Sequence, residues 1–382
     1  MKTFLKLSAI LLIALSSTFS LYAQTSLTTK TNISKFQISG FIQPRYSYST
    51  DTTNSNSSST NTNNFGIRRF EVKIAADLTE MVAVELNYDF GAMKSGVGGD
   101  LRDAFLKLTL HDWAKIQFGQ FKKPMLKEEF LTSSSAIRTI DRGLVDKALA
   151  DNIFADRDLG IMLNGDGYND DIPIEYWFGV FNGNGRNVGA DNNAAKQFSA
   201  HIEYSPMVGV TFGWDGSAIG YDNKNGSKSG TYKPIYADSS KAISVTKYKY
   251  AQGVNLELAY EDFSVVSEYY LWDQSATDAV SAFKKSVKAN GFYISPLYSI
   301  RMESDLVSKM DFGMKYEQIN PNLGQTKNVK KAITLGTSMY FNENGSRLQL
   351  NYIYTSDELR KNAAVKISDP VHEIVAQFTV KF

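Results

Sequence analysis

No cysteine occurs in the 382 residues, so a disulfide framework cannot hold this chain together. Histidine is scarce: His111, His201 and His372 are all there are. A catalytic triad needs a histidine within reach of a nucleophile and an orienting group. His201, with Ser199 and Glu203 on the same strand face, is the one candidate, and strict alternation along a strand creates such a trio by itself. There is also no excess of charge. Lys and Arg total 41 against 40 Asp and Glu, which excludes the basic character of a nucleic-acid-binding chain. Beyond the first two dozen residues no run of 18 apolar residues exists, so helical membrane spans are excluded. Proline is rare, with only 8.

What is abundant is the material of strands. The chain holds 21 Tyr and 23 Phe, and aromatic residues favour the pleated, half-buried surface of a sheet. Its opening, Met1-Lys2-Thr3-Phe4-Leu5-Lys6, then an apolar run from Leu7 to Leu21 and Tyr22-Ala23-Gln24, reads as a secretory signal peptide over residues 1–23 cut after Ala23. Without Lys2 and Lys6 the remainder carries 39 basic against 40 acidic residues. Residues 24–35 are polar and read as an N-terminal arm.

From Phe36 the period is two. Phe36, Ile38, Gly40 and Ile42 oppose Gln37, Ser39, Gln43 and Arg45. Phe70, Val72, Ile74, Ala76 and Leu78 oppose Arg69, Glu71, Lys73 and Asp77. Near the end, Ile374, Ala376, Phe378, Val380 and Phe382 oppose Glu373, Gln377, Thr379 and Lys381.

Connections alternate in length. Asp51–Asn64, Ala92–Asp100, Asn182–Lys196, Ser217–Tyr248, Asp273–Ser286, Asn320–Lys331 and Ser356–Pro370 are long. Thr79–Met81, His111–Ala114, Pro206-Met207, Glu261-Asp262 and Asn342–Gly345 are tight, while Asp166–Ile172 and Met302–Ser308 are intermediate. Long loops at one end and tight turns at the other predict an all-β fold, a transmembrane antiparallel β-barrel of about sixteen strands over residues 36–382. A soluble sandwich would need a second apolar layer throughout. Lipid supplies that layer for a barrel, and the outward face is nearly free of charge. Tyr46, Tyr48, Tyr88, Phe90, Trp214, Tyr352 and Tyr354 fall near strand ends, where interfacial girdles sit.

One segment breaks the rhythm. After Lys115–Phe121, roughly thirty residues carry Lys122, Lys123, Lys127, Arg138, Arg142, Lys147 and Arg157, and a long ordered insertion in a regular fold is usually functional. It is expected to fold into the barrel mouth as a third-loop constriction over 122–157, with a short helix around Leu144, Val145, Ala148 and Leu149 and with Asp146 and Lys147 on its opposite side. Strand alternation adds wall cations at Arg45, Arg69, Lys73, Lys107, Lys315, Arg347 and Lys381. It also adds acids at Glu85, Asp89, Asp103, Glu175, Glu203, Glu257, Asp311, Glu317 and Glu373. Arginine suits phosphate because it offers planar bidentate donors. Gly165–Asp171 lacks the spacing and closing Glu of a calcium loop, and Gly96, Gly98 and Gly99 form no phosphate loop. No metal and no cofactor is implied.

Gly119-Gln120-Phe121-Lys122-Lys123-Pro124, with Glu128 following, resembles the signature after the fifth strand of the phosphate-selective porin O/P family. Arg157-Asp158-Leu159-Gly160 resembles the start of that family's sixth strand, and Gly179-Val180-Phe181-Asn182-Gly183-Asn184-Gly185 the end of its seventh. Phe382 is similar to the terminal aromatic by which outer-membrane proteins are handed to the barrel assembly machinery. The resemblance implies a homotrimeric porin in the bacterial outer membrane, with its third loop in the lumen and, in some members, an arginine-lined path for phosphate. Lys122 and Arg157 carry over directly, and Arg68-Arg69 resembles paired arginines on the second strand. Glu71 departs from the pattern, which there has a cation. Alternation assigns Arg69 to the lumen and Arg68 to the outer rim.

The expected function is passive diffusion of small hydrophilic solutes with a preference for small anions such as phosphate. Lys122, Lys123, Lys127, Arg138, Arg142, Arg157, Arg69, Arg45 and Lys73 are the binding candidates, and no catalytic residue is expected. The alternatives are a general or sugar-admitting porin and, from another class, a barrel enzyme or adhesin.

Overall fold

A computed structural model describes residues 35–51, 62–92, 99–168, 171–191, 195–221, 247–277, 284–304, 306–341, 345–361 and 370–382. The signal peptide, nearly all of the N-terminal arm, Gly96 and Gly98, most of the Ser/Asn tract and most of the loop after Tyr221 lie outside these residues.

Sixteen strands close into one antiparallel barrel, each paired to its neighbours in chain order, with the last returning to the first. They are β1 (Lys35–Ser49), β2 (Thr62–Asp77), β3 (Val82–Asp89), β4 (Asp100–His111), β5 (Ala114–Lys122), β6 (Arg157–Gly167), β7 (Ile172–Phe181) and β8 (Gln197–Met207). The second half comprises β9 (Val210–Tyr221), β10 (Lys247–Tyr260), β11 (Phe263–Thr277), β12 (Lys284–Arg301), β13 (Lys309–Asn320), β14 (Lys330–Tyr340), β15 (Arg347–Asp357) and β16 (Val371–Lys381). Closure is sealed where Gly40 and Phe382 exchange backbone hydrogen bonds of 3.0 and 3.1 Å. No sheet edge is left to satisfy, as a bilayer requires.

Alternation sorts the faces. Phe36, Ile38, Phe65, Leu86, Phe118, Phe212, Val254 and Leu350 stand exposed on the outside, an apolar belt suited to lipid rather than water. Gln43, Gln197, His201, Asn255, Glu268, Lys315, Gln349 and Gln377 are buried on the inside.

Two details differ from the sequence reading. The tight turn expected at Pro206-Met207 falls at Val208-Gly209, because Gly209 takes φ +81° and a turn there suits glycine. On β2, Ile42 pairs with Phe70 but Pro44 pairs with Ile67. Arg68 and Arg69 therefore share the single partner position Gln43, a β-bulge. The extra residue turns both guanidiniums inward, so Arg68 is not on the outer rim.

Candidate functional site

Between β5 and β6 the chain turns into the lumen. Helix α1 (Lys127–Leu131) and helix α2 (Leu144–Asp151) are joined by an irregular tip. Met125, Leu126, Val145, Leu149 and Phe154 form an apolar core with Ile219, Ala251, Tyr270, Trp272 and Ala289 of β9 to β12. The inward face of the barrel is thus locally apolar, and this anchors the loop by ordinary hydrophobic burial. The helical pattern puts Asp146 with Lys147 opposite the apolar side of the helix, yet only Lys147 is exposed. Asp146 is buried beside Val145 and accepts a 3.3 Å hydrogen bond from Gly143 N–H. Burial and the neighbouring Glu128 push its carboxyl well above the usual range.

Wall carboxylates cap the helices. Glu268 accepts from the backbone N–H groups of Lys127 (3.0 Å) and Glu128 (2.9 Å), and Glu317 from that of Leu144 at 2.9 Å. Negative charge at a helix N-terminus is favourable. At the other end of α1, the Lys122 ammonium donates to the carbonyls of Glu129 (2.6 Å) and Thr132 (3.0 Å).

The remaining candidate cations are held as firmly. Arg157 grips Asp103 through Nε and Nη2 at 2.9 and 3.1 Å. Lys123, fully buried, donates to the Ile153 carbonyl at 2.5 Å and to Gln197 at 3.1 Å, and burial pulls its ammonium below the ordinary lysine value. Lys127 lies 2.5 Å from Glu203 and 3.0 Å from Glu257. Although burial opposes it, these carboxylates hold Lys127 above its ordinary value. Arg138 pairs with Glu257 at 3.3 Å, Arg142 with Glu129, and Lys73 with Glu85 at 2.6 Å.

At the tip, Asp141 collects Arg45 at 2.6 Å, Arg68 at 3.3 Å and Arg69 at 3.9 Å. Against burial, which would raise it, these guanidiniums hold the Asp141 carboxyl well below the usual range. Arg347 of β15 donates to the carbonyls of Ser135 (3.0 Å) and Ile137 (2.8 Å). The loop is therefore tied to β1, β2 and β15 on one side and to β8 through β13 on the other, so it crosses the lumen.

All nine binding candidates lie at this loop or on the walls it touches, and each has a carboxylate, amide or carbonyl partner. Of the loop cations, only Lys147 is exposed with no such partner among the described residues. The signal missed in the sequence is plain once the contacts are seen. The same 122–157 stretch contains Glu128, Glu129, Asp141, Asp146, Asp151 and Asp156, nearly as many acids as bases. His201 is also spoken for. Its Nδ1 lies 2.6 Å from Asp215, while Ser199 bonds to Ser217 at 2.9 Å and not to the imidazole.

A closed sixteen-stranded barrel with an apolar outer belt and an ordered loop across a polar lumen is the architecture of a porin. The chain belongs to the family described as phosphate-selective porin O and P, whose model matches residues 42–382. Among solved structures, it is similar in fold to an anion-selective porin from Comamonas acidovorans, with TM-score 0.63 and 10% identity over 91% of this chain and 99% of that one. It is also similar to OmpF of Salmonella typhi in complex with daunomycin, with TM-score 0.60 and 12% identity over 91% and 98%. A third is the trimer form of OmpT, an outer-membrane protein of Vibrio cholerae, with TM-score 0.55 and 12% identity over 91% and 99%. At these identities the likeness is one of fold. No curated protein sequence matches the chain. The family and the barrel make this an outer-membrane channel protein rather than an enzyme.

Proposed function

We propose that the protein is a passive channel for small hydrophilic solutes with only weak ion preference, and that its loop cations act mainly as fasteners of the constriction. The observation that carries this reading is the neutralisation of the candidate cations. Unit charges about 4 Å apart at an effective dielectric near 20 interact by about 4 kcal/mol, so a cation already in contact with a carboxylate offers little to a passing anion. Exposed charges beyond about 8 Å are screened at physiological ionic strength.

A second reading, anion preference, has its own support. Arg45, Arg68 and Arg69 converge on the single carboxylate Asp141, the family is described as phosphate-selective, and the porin of Comamonas acidovorans is titled anion-selective. Planar-bilayer recording of the purified protein in a KCl gradient separates the two. A reversal potential near zero, with a current unaffected by phosphate, supports the weakly selective channel. A strongly anion-selective potential with phosphate block overturns it in favour of the second reading. Assembly as a homotrimer, export by a signal peptide and delivery to the assembly machinery through Phe382 belong to the same proposal. Crosslinking in native membranes tests the first of these.

A further inference from the structure

On the short-turn side of the loop, the lumen opens into a cavity of about 590 Å³ enclosed by β1 to β6, the end of β16 and the underside of the loop. Its size lies in the range of small-molecule sites. Its lining is of two kinds. Phe41, Phe105, Phe121, Phe130 and Leu131 supply ring faces and apolar surface. Phe105 packs edge-on to Phe121 at 5.9 Å, and Phe121 to Phe181 at 5.5 Å. Against these stand a polar corner of Glu71, Asn87, Asp103 and Arg157 and the charged groups of Lys73, Glu85, Lys122 and Lys381.

The corner is incompletely satisfied. Asn87 Nδ2 donates to Glu71 Oε2 at 3.1 Å and to Asp103 Oδ2 at 3.3 Å. Yet Glu71 Oε1, Asn87 Oδ1 and Arg157 Nη1 make no hydrogen bond, in side chains that are 5%, 9% and 3% exposed. Glu71 Oε1 has Arg69 Nε only at 3.9 Å, and Arg157 Nη1 has Asp156 at 3.5 Å. A buried acceptor left without a donor costs about 1–3 kcal/mol, and these atoms are covered by the cavity wall, so a small shift of the wall lets a solute that brings donors as well as an acceptor satisfy them. A phosphate dianion brings acceptors alone; in the corner it would meet the carboxylates of Glu71 and Asp103, and of the lysines that line the cavity Lys73 is already paired with Glu85 at 2.6 Å and Lys122 is held by the carbonyls of Glu129 and Thr132, which leaves Lys381. Adjacent hydroxyl groups bring both, since each hydroxyl donates once and accepts twice, and the C–H faces of a sugar ring suit the phenylalanines opposite.

From this we infer that the cavity is a binding site for a neutral polyhydroxylated solute, of one or two sugar rings, on its way through the channel. The inference rests on the channel reading and names the solute class for it. Maltose and inorganic phosphate are the probes. With the purified protein in planar bilayers, maltose added on the short-turn side reduces the ion current saturably, and phosphate at equal concentration does not. Glu71→Gln replaces an unpartnered acceptor by an amide that can present a donor there, and maltose half-block moves about tenfold higher in concentration. Phe105→Ala moves it in the same direction.

Calorimetric titration of the detergent-solubilised protein with maltose reads the site without any current and is expected to show saturable heat, weakened in Glu71→Gln. A protein that conducts but neither binds nor is blocked by maltose overturns the sugar site alone. A silent protein that still titrates with maltose overturns the channel reading and leaves the site. Block by phosphate and not by maltose reverses the solute class.

Discussion

Replacing Asp141 by Asn removes the one carboxylate on which Arg45, Arg68 and Arg69 converge, at 2.6, 3.3 and 3.9 Å. The amide keeps the shape and an acceptor oxygen but leaves the guanidiniums facing the lumen with one negative charge fewer. The Asp141 side chain is 34% exposed, so its pairs are discounted towards the surface range of about 0.2–1 kcal/mol each. The tip should loosen without the loop leaving the barrel. For permeation, a unit charge about 8 Å from a passing ion in water contributes about 0.5 kcal/mol, less with screening. Because anions gain what cations lose, the anion-to-cation permeability ratio should rise roughly two- to fivefold.

The same recordings give a sign check with pH. The folded-state carboxyl lies below its ordinary value of 3.8. The stability it lends the docked tip is therefore complete above 3.8 and is lost only as pH falls through the lower folded value. Wild type at pH 4 should match wild type at pH 7 in this respect, while Asp141→Asn is shifted at both. An unchanged reversal potential and unchanged current noise in the variant would refute the idea that Asp141 both fastens the tip and sets the local charge.

Four further outcomes follow from other contacts. Arg157→Ala leaves Asp103, 7% exposed, without its guanidinium and with only the Asn87 amide donating to it, and removing one member of a buried pair costs about 3–5 kcal/mol; heat-modifiability on gels should show a lower unfolding temperature. Leu149→Ala removes a fully buried side chain of the lumenal core and should cost about 2–5 kcal/mol, read as increased protease cleavage within 122–157. Asp146 behaves in the opposite sense to Asp141. Its folded value is raised by burial, so its contribution is present below the ordinary carboxylate value and lost as pH rises through the folded one; Asp146→Asn should make loop docking, measured by that proteolysis, less sensitive to a rise in pH above the ordinary carboxylate value. Gly119 has φ +136°, and a Cβ there would sit 2.2 Å from the Ala104 carbonyl oxygen, so Gly119→Ala should reduce the yield of folded barrel in outer-membrane fractions.

The strands were legible because lipid and lumen impose opposite demands on adjacent residues. Phe36 against Gln37 and Ile374 against Glu373 state the face directly. Loop order was legible too, since turn residues punctuate the alternation. What could not be read was anything set by contacts across the lumen. The bulge at Arg68-Arg69 shows only in the pairing to Gln43, and the run of cations at 122–157 reads as an anion-favouring constriction because its own acids are scattered between them. Glu203, Glu257 and Glu268 lie far along the chain from the lysine and helix end they hold. Nothing in the sequence around Tyr270 and Trp272 marks them as the floor of an apolar core inside the pore.

The loop that crosses the lumen also acts mechanically. Bound by Arg45 and Arg347 at one wall and by Glu203 of β8 at the opposite one, it is a strut spanning the barrel's cross-section. Lateral pressure from the bilayer cannot flatten the cylinder without compressing that strut or tearing its ion pairs. Stiffness of the wall and width of the passage are thus set by the same bonds, and a substitution that widens the one softens the other.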